Sequence, residues 1–262
     1  GLPNFVRKLF LSLVSNIYCV ATIDKENVQI AHVQVVGDTR YDQVQWRLNN
    51  TCHRTHFVNN KPTLVLGSTW AEDDRLFFPA IKQIANQWNI VWVPHEPHGT
   101  HTKAIVSRLQ SEQIDFILYS KLDGPIEQSA VLVDSVGHLA ELYLSADAAF
   151  VGGSFKRKVH SVMEPLAAGC AVITGPFIQN NREAMEFTKI KSSVLETDHL
   201  VTVCQTSAEI AHQLEQWSTK LSQQSLREQL KREIQIQIRL REGASIKVLQ
   251  WIAGLLSRQN FV

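Results

Sequence analysis

The chain has 262 residues, with 26 Lys plus Arg against 25 Asp plus Glu and a formal net charge of +1. Hydrophobic residues make up 44% and charged residues 19%, which argues against a disordered charged tail and against the strongly basic domain of a nucleic-acid-coating protein, so no nucleic-acid partner is expected. The length allows one large domain or a domain with an appendage, and the four scattered cysteines, Cys19, Cys52, Cys170 and Cys204, form no C-x-x-C pair, so a reducing compartment is expected rather than a disulfide framework or zinc knuckle.

The start at Gly1 rather than Met reads as an arbitrary cut. Arg7-Lys8 before an apolar run superficially resembles a signal peptide, but Ser15 and Asn16 interrupt the run and no A-x-A site follows, so a globular helix is expected. No apolar run reaches 18 residues, and no membrane span is expected. Strand candidates then recur at 31–36, 63–67, 90–94, 115–119, 130–134, 148–151, 171–174 and 200–204, several continuously apolar as in parallel sheets. Helical patterns lie between them. The clearest, 72–88, follows Thr69-Trp70-Ala71-Glu72, which has the form of a capping box. This βαβα alternation predicts a doubly wound α/β fold with ligands beyond the carboxyl ends of the strands. Residues 47–62 read as a partly irregular connection. From 207 to 241 the spacing of Ile210, Leu214, Trp217, Leu221, Leu226 and Leu230 predicts one long helix, ended by Gly243, with a last apolar helix over 246–256.

The block 147–183 carries the most chemistry. Phe150-Val151-Gly152-Gly153-Ser154 is an apolar strand ending in two glycines and a hydroxyl, followed by Lys156, Arg157 and Lys158. It reads either as a phosphate seat, with close backbone N–H groups, a helix N-terminus and cations, or as a tight strand-to-helix turn beside a solvated basic loop. A helix over 160–169 puts Glu164 on one face with His160. There Glu164 serves either as acceptor for two ribose hydroxyls or as a partner of the positive helix end. Asn180 is a crevice residue or a plain N-cap, and Ser68 and Thr69 are possible ligand contacts. The acidic start Glu72-Asp73-Asp74 repels an incoming phosphate. His95 and Glu96 follow the 90–94 strand at its carboxyl end. His53/His56 and His95/His98/His101 lack partner ligands at metal spacing, so no metal is expected. G-x-S-x-G, Walker A and G-x-G-x-x-G are all missing from the sequence.

In chain order, Gly37-Asp38-Thr39-Arg40-Tyr41-Asp42, Gly67-Ser68-Thr69-Trp70-Ala71-Glu72-Asp73, Pro94-His95-Glu96, Val151-Gly152-Gly153-Ser154-Phe155, His160, Glu164 and Gly175-Pro176 resemble the C-terminal half of the Kdo transferases, over roughly residues 5–190. The resemblance implies half of a GT-B glycosyltransferase with a Rossmann-like doubly wound parallel sheet. It implies CMP-Kdo as donor and a lipid A precursor of lipopolysaccharide biosynthesis in Gram-negative bacteria as acceptor. No cofactor or metal is implied, and transfer inverts the anomeric centre. Residues 1–36 are then a remnant of the N-terminal domain and linker, 37–243 the donor domain, and 244–262 a helix returning toward that missing domain. The catalytic carboxylate and the membrane contact at the cytoplasmic face of the inner membrane belong to the missing domain, leaving a soluble fragment that turns over nothing alone. Ser68, Thr69, Glu72, His95, Glu96, Gly152, Gly153, Ser154, His160, Glu164 and Asn180 carry over as donor-binding residues, joined by Lys156 and Arg157 on charge grounds. Many members have Gly-Gly-His-Asn-Pro-Leu-Glu where this chain reads Lys158-Val159-His160-Ser161-Val162-Met163-Glu164, and Arg-His in place of His95-Glu96. A GT-B enzyme using a UDP- or GDP-sugar, or a non-catalytic α/β interaction domain with an acidic partner or anionic lipid, are the alternatives.

Overall fold

The computed structural model describes residues 4–28, 30, 32–51, 56–196 and 198–259; Gly1, Ala31, Cys52 and His53 lie outside them. The chain forms two compact units, one of Gly1–Arg47 with Gln237–Val262, the other of Leu48–Ile236. The smaller unit starts with α1 (Asn4–Ser12), β1 (Ile17–Cys19), α2 (Thr22–Val28), β2 (Val33–Val35) and α3 (Thr39–Asn49). β1 and β2 pair in parallel. Among the described residues no helix is long and apolar enough to cross a membrane.

The larger unit holds β3 (Thr63–Thr69), α4 (Ala71–Ile84), β4 (Asn89–Pro94), α5 (Thr100–Ser111), β5 (Phe116–Leu118), β6 (Ala130–Leu132), α6 (Leu139–Leu144), β7 (Ala148–Val151), α7 (Met163–Ala168), β8 (Ala171–Thr174), α8 (Arg182–Phe187), β9 (Val201–Val203) and α9 (Ser207–Leu221). The seven strands lie in the order β5-β6-β4-β3-β7-β8-β9, every pairing parallel. The expected doubly wound α/β fold is therefore present. β4, β7 and β8 are buried along their whole length, because helices on both faces cover them, and only apolar runs are stable there. Phe77, Ala80, Ile81 and Ile84 of α4 complete the core beside Leu64, Leu66 and Phe150. The fully buried Trp88 keeps its indole N–H satisfied by Leu214 O at 3.0 Å.

From β3 the chain winds to one side through β4, β5 and β6, then crosses to β7 on the other flank of β3. The carboxyl ends of β3 and β7 thus bound the crevice where such sheets bind ligands. The tail corrects one expectation. The single helix over 207–241 is two, α9 and α10 (Gln224–Arg239), because Ser222 Oγ takes the Thr219 carbonyl and Gln223 N–H reaches back only three residues, to Lys220 O. Such local side-chain bonds compete with the helical ladder. In the smaller unit the final helix α11 (Ala244–Gln259) begins where Asp42 accepts N–H bonds from Gly243 and Ser245 at 2.6 and 2.8 Å. Burial alone raises the Asp42 pKa, but these bonds outweigh it and hold the carboxyl below its ordinary value.

Candidate functional site at the carboxyl ends of the central strands

The floor of the crevice is backbone against backbone. At the end of β3 the register with β4 shifts between Gly67 and Thr69, and Ser68 adopts φ +53°, in the left-handed region. The Ser68 carbonyl packs so closely on Gly152 that a Cβ there would sit 2.1 Å from its oxygen. Only glycine fits. The Gly152 N–H continues the β3–β7 pairing to Gly67 O at 2.8 Å.

The next glycine is held by a side chain from the opposite wall. Asp73, fully buried in the first turn of α4, accepts N–H bonds from Gly153 at 2.8 Å, Trp70 at 2.9 Å and Phe155 at 3.3 Å. Burial pushes the Asp73 carboxyl up, against the pull of these three bonds. The capping box expected from Thr69 and Glu72 is thus displaced by one residue. Trp70 is the N-cap, and Asp73 closes the turn onto its N–H. Gly153 takes φ +83°, and its carbonyl accepts the N–H groups of Lys156, Arg157 and Lys158 at 3.1, 3.2 and 3.1 Å. The basic run is therefore a tight turn wrapped on one oxygen, with all three cationic side chains exposed.

Above this loop lies an aromatic cluster. The His95 ring stacks on Trp70, with centroids 4.3 Å apart, and on His160, 4.7 Å away. The Lys156 ammonium sits 3.9 Å from the centroid of the Trp70 ring, a cation–π arrangement. The Trp70 indole N–H donates to His160 Nε2 at 3.1 Å. An indole can only donate, so Nε2 must be the unprotonated nitrogen. The electrostatics agree: burial, then the proximity of His95 and Lys158, pushes the His160 pKa below its ordinary value. Beneath the cluster, Thr69 is fully buried, and Trp92 Nε1 donates to its hydroxyl at 3.1 Å and to Asp74 Oδ1 at 3.0 Å.

The structure brings Ser68, Thr69, His95, Gly152, Gly153, Lys156 and His160 together around Trp70 and corrects several assigned roles. Gly153 does not offer its N–H to an anion, because Asp73 occupies it. Ser154 is fully buried; its hydroxyl donates to Val151 O and accepts the Gly175 N–H at 2.7 Å, so it braces the loop. Thr69 likewise spends its hydroxyl internally. His160 and Glu164 do not share a helix face. The His160 N–H bonds Gly152 O, Ser161 Oγ accepts the Met163 N–H, and α7 starts only at Met163. The N-cap of α8 is Asn181, whose side chain accepts from Ala184 N, whereas Asn180 donates to Val159 O at 3.0 Å. Glu72 and Glu164 are half-buried in the first turns of α4 and α7, and Arg157 and Glu96 are exposed. Trp70 and Asp73 were not picked out as site residues from sequence. The available signal for Trp70 was a large aromatic directly after the crevice hydroxyls.

The topology is that of a Rossmann-like domain with the GT-B fold. In structure the chain matches the C-terminal CMP-Kdo binding domain of WaaA from Acinetobacter baumannii, with a TM-score of 0.55 and 18% identity, covering 76% of this chain and 95% of that one. It also matches S. aureus TarM in complex with UDP, with a TM-score of 0.51 and 6% identity over 92% of this chain and 44% of that one. In sequence the chain is 31% identical over 170 residues to the 3-deoxy-D-manno-octulosonic acid transferase of Chlamydophila psittaci, covering 63% of this chain and 38% of the relative. For the enzyme of the same name from Chlamydia muridarum the identity is 32% over 174 residues, 63% of this chain and 40% of the relative. The chain therefore spans about two-fifths of the length of these curated relatives. No protein-family model matches it.

Proposed function

We propose that this chain is the donor-binding part of a glycosyltransferase that transfers Kdo from CMP-Kdo to a lipid A precursor. The observation that carries the reading is the 31% identity to a Kdo transferase over 170 residues. The fold shared with a CMP-Kdo binding domain over 95% of that domain supports it. So does the crevice, where exposed cations and a flat aromatic surface suit an anionic nucleotide. Lys156 and Arg157 take the phosphate, whose charge grows as CMP departs, so a cation fixed there favours the transition state. Neutral His160 keeps its Nδ1–H as a donor while Nε2 is engaged with Trp70. The exposed His95 ring offers a surface for cytosine or the edge of the sugar, and Glu164 accepts from the ribose hydroxyls. Ser68, Glu72, Glu96 and Asn180 complete the lining.

In this reading residues 37–243 form the donor domain, 1–36 the link to an acceptor-binding domain, and 244–262 a helix returning toward it. The base that deprotonates the acceptor hydroxyl, and the contact with the inner membrane, belong to that other domain. Transfer inverts the anomeric centre without a metal ion, and this chain alone binds CMP without turnover. Calorimetry of the folded chain with CMP tests the reading: saturable binding is expected, and no heat up to millimolar CMP overturns it. Thermal shifts with CMP, UDP and GDP identify the nucleotide, since a ligand at about 100 times its Kd stabilises by about 2.7 kcal/mol.

A further inference from the structure

We infer that Asp73 is a positioning residue, whose buried carboxylate ties the loop after β7 to the start of α4 and so holds Trp70, Lys156 and His160 in register for the donor. The inference rests on the donor-site reading above. All three bonds of this carboxylate run to backbone N–H groups, two from the loop, at Gly153 and Phe155, and one from Trp70. The side chains hung on those segments touch one another: Lys156, next to Phe155, covers the Trp70 ring, and the Trp70 indole reaches His160. His160 is in turn fixed to the same loop through Gly152 O. The contacts close into a ring with Asp73 as the joint between the two walls of the crevice. In glycine-rich anion sites, converging N–H groups of this kind receive a phosphate. Here the protein supplies the anion itself, so the incoming phosphate must be met by side chains, and their placement depends on the joint.

The sign of one substitution separates positioning from simple charge. A buried negative charge near a phosphate repels it, so if Asp73 acted only through its charge, Asp73→Asn would tighten CMP binding. A joint predicts weakening. The amide keeps an acceptor oxygen for Trp70 and Gly153 but turns its NH2 on the Phe155 N–H, donor against donor. Three measurements on the 262-residue chain decide it, each taken well below the melting temperature: CMP affinity by calorimetry, the Trp70 indole N–H resonance, and the NMR titration of His160. Asp74→Asn is the control, since the Asp74 carboxylate bonds Trp92 and His101 instead of the loop. We expect Asp73→Asn to weaken CMP binding about tenfold, to shift the Trp70 resonance and to move the His160 pKa back toward its ordinary value, with Asp74→Asn leaving CMP affinity within twofold. Unchanged Trp70 and His160 signals overturn the joint, whatever CMP does. Shifted signals with equal or tighter CMP binding overturn its role toward the donor. If the unsubstituted chain binds no CMP, the donor reading falls, and the two NMR signals still decide the joint.

Discussion

Gly152→Ala probes the packing on which the crevice is built. The new Cβ would lie 2.1 Å from the Ser68 carbonyl oxygen, 2.6 Å from its carbon and 2.9 Å from Thr69 Cα. Close C···O contacts in proteins run at about 3.3 Å, so the ends of β3 and β7 must part by roughly 1 Å. All three neighbours are backbone atoms, and no rotamer change can relieve them. Ser68 is already in the left-handed region, and the 2.8 Å bond from Gly152 N to Gly67 O must lengthen. Overpacking costs about 1–3 kcal/mol, and with only backbone to yield we expect the upper end, about 3 kcal/mol. At roughly 2–4 °C per kcal/mol for a domain of this size, Tm falls by about 6–12 °C. Denaturant unfolding and calorimetry with CMP measure both consequences, with Gly124→Ala as control because nothing lies within 4 Å of its Cβ position. If Gly152→Ala is as stable as that control and binds CMP equally well, the close approach of the two strands does not shape the site.

Two histidines set opposite pH limits. The folded-state pKa of His160 lies below its ordinary 6.5, chiefly through burial, so the unfolded chain protonates first. Its contribution is intact above 6.5 and lost as pH falls through the folded value; in Tm measured against pH, His160→Asn should flatten that acidic decline. The His101 pKa is raised, first by its hydrogen bond to Asp74. Its contribution is full below 6.5 and is lost as pH rises through the folded value, so His101→Gln should flatten the alkaline side. Trp70→Ala removes the ring stacked on His95 and lying under Lys156, contacts each worth about 0.5–2 kcal/mol; CMP affinity should fall about tenfold, and Trp70→Phe should recover most of it.

The sheet was legible because strands buried on both faces tolerate only continuous apolar runs, as 90–94, 148–151 and 171–174 display. The helix breaks were less so. Nothing in the spacing of Leu214, Leu221 and Leu226 reveals that Ser222 captures a carbonyl and ends α9. The region of the site was also legible, since glycines, hydroxyls and cations gather at strand ends. The roles within it were not, because Asp73 and Gly153 are 80 positions apart in sequence. A carboxylate in a first helical turn looks the same whether it balances the macrodipole or seizes a loop. Ser154 misled for the same reason: a hydroxyl after two glycines suits an anion and a buried brace equally well.

Gly67, Gly152 and Gly175 stand at or just past the ends of three adjacent strands. At each, an added methyl would strike the Tyr143 hydroxyl, the Ser68 carbonyl or the Ser154 carbonyl within 2.7 Å or less. A mutational scan scored only on CMP binding would rank these positions beside the proposed ligand contacts, although they work by leaving room. Scoring cellular abundance in parallel would split the two groups: the glycines should lose protein level along with binding, whereas Lys156 and Arg157 should lose binding alone.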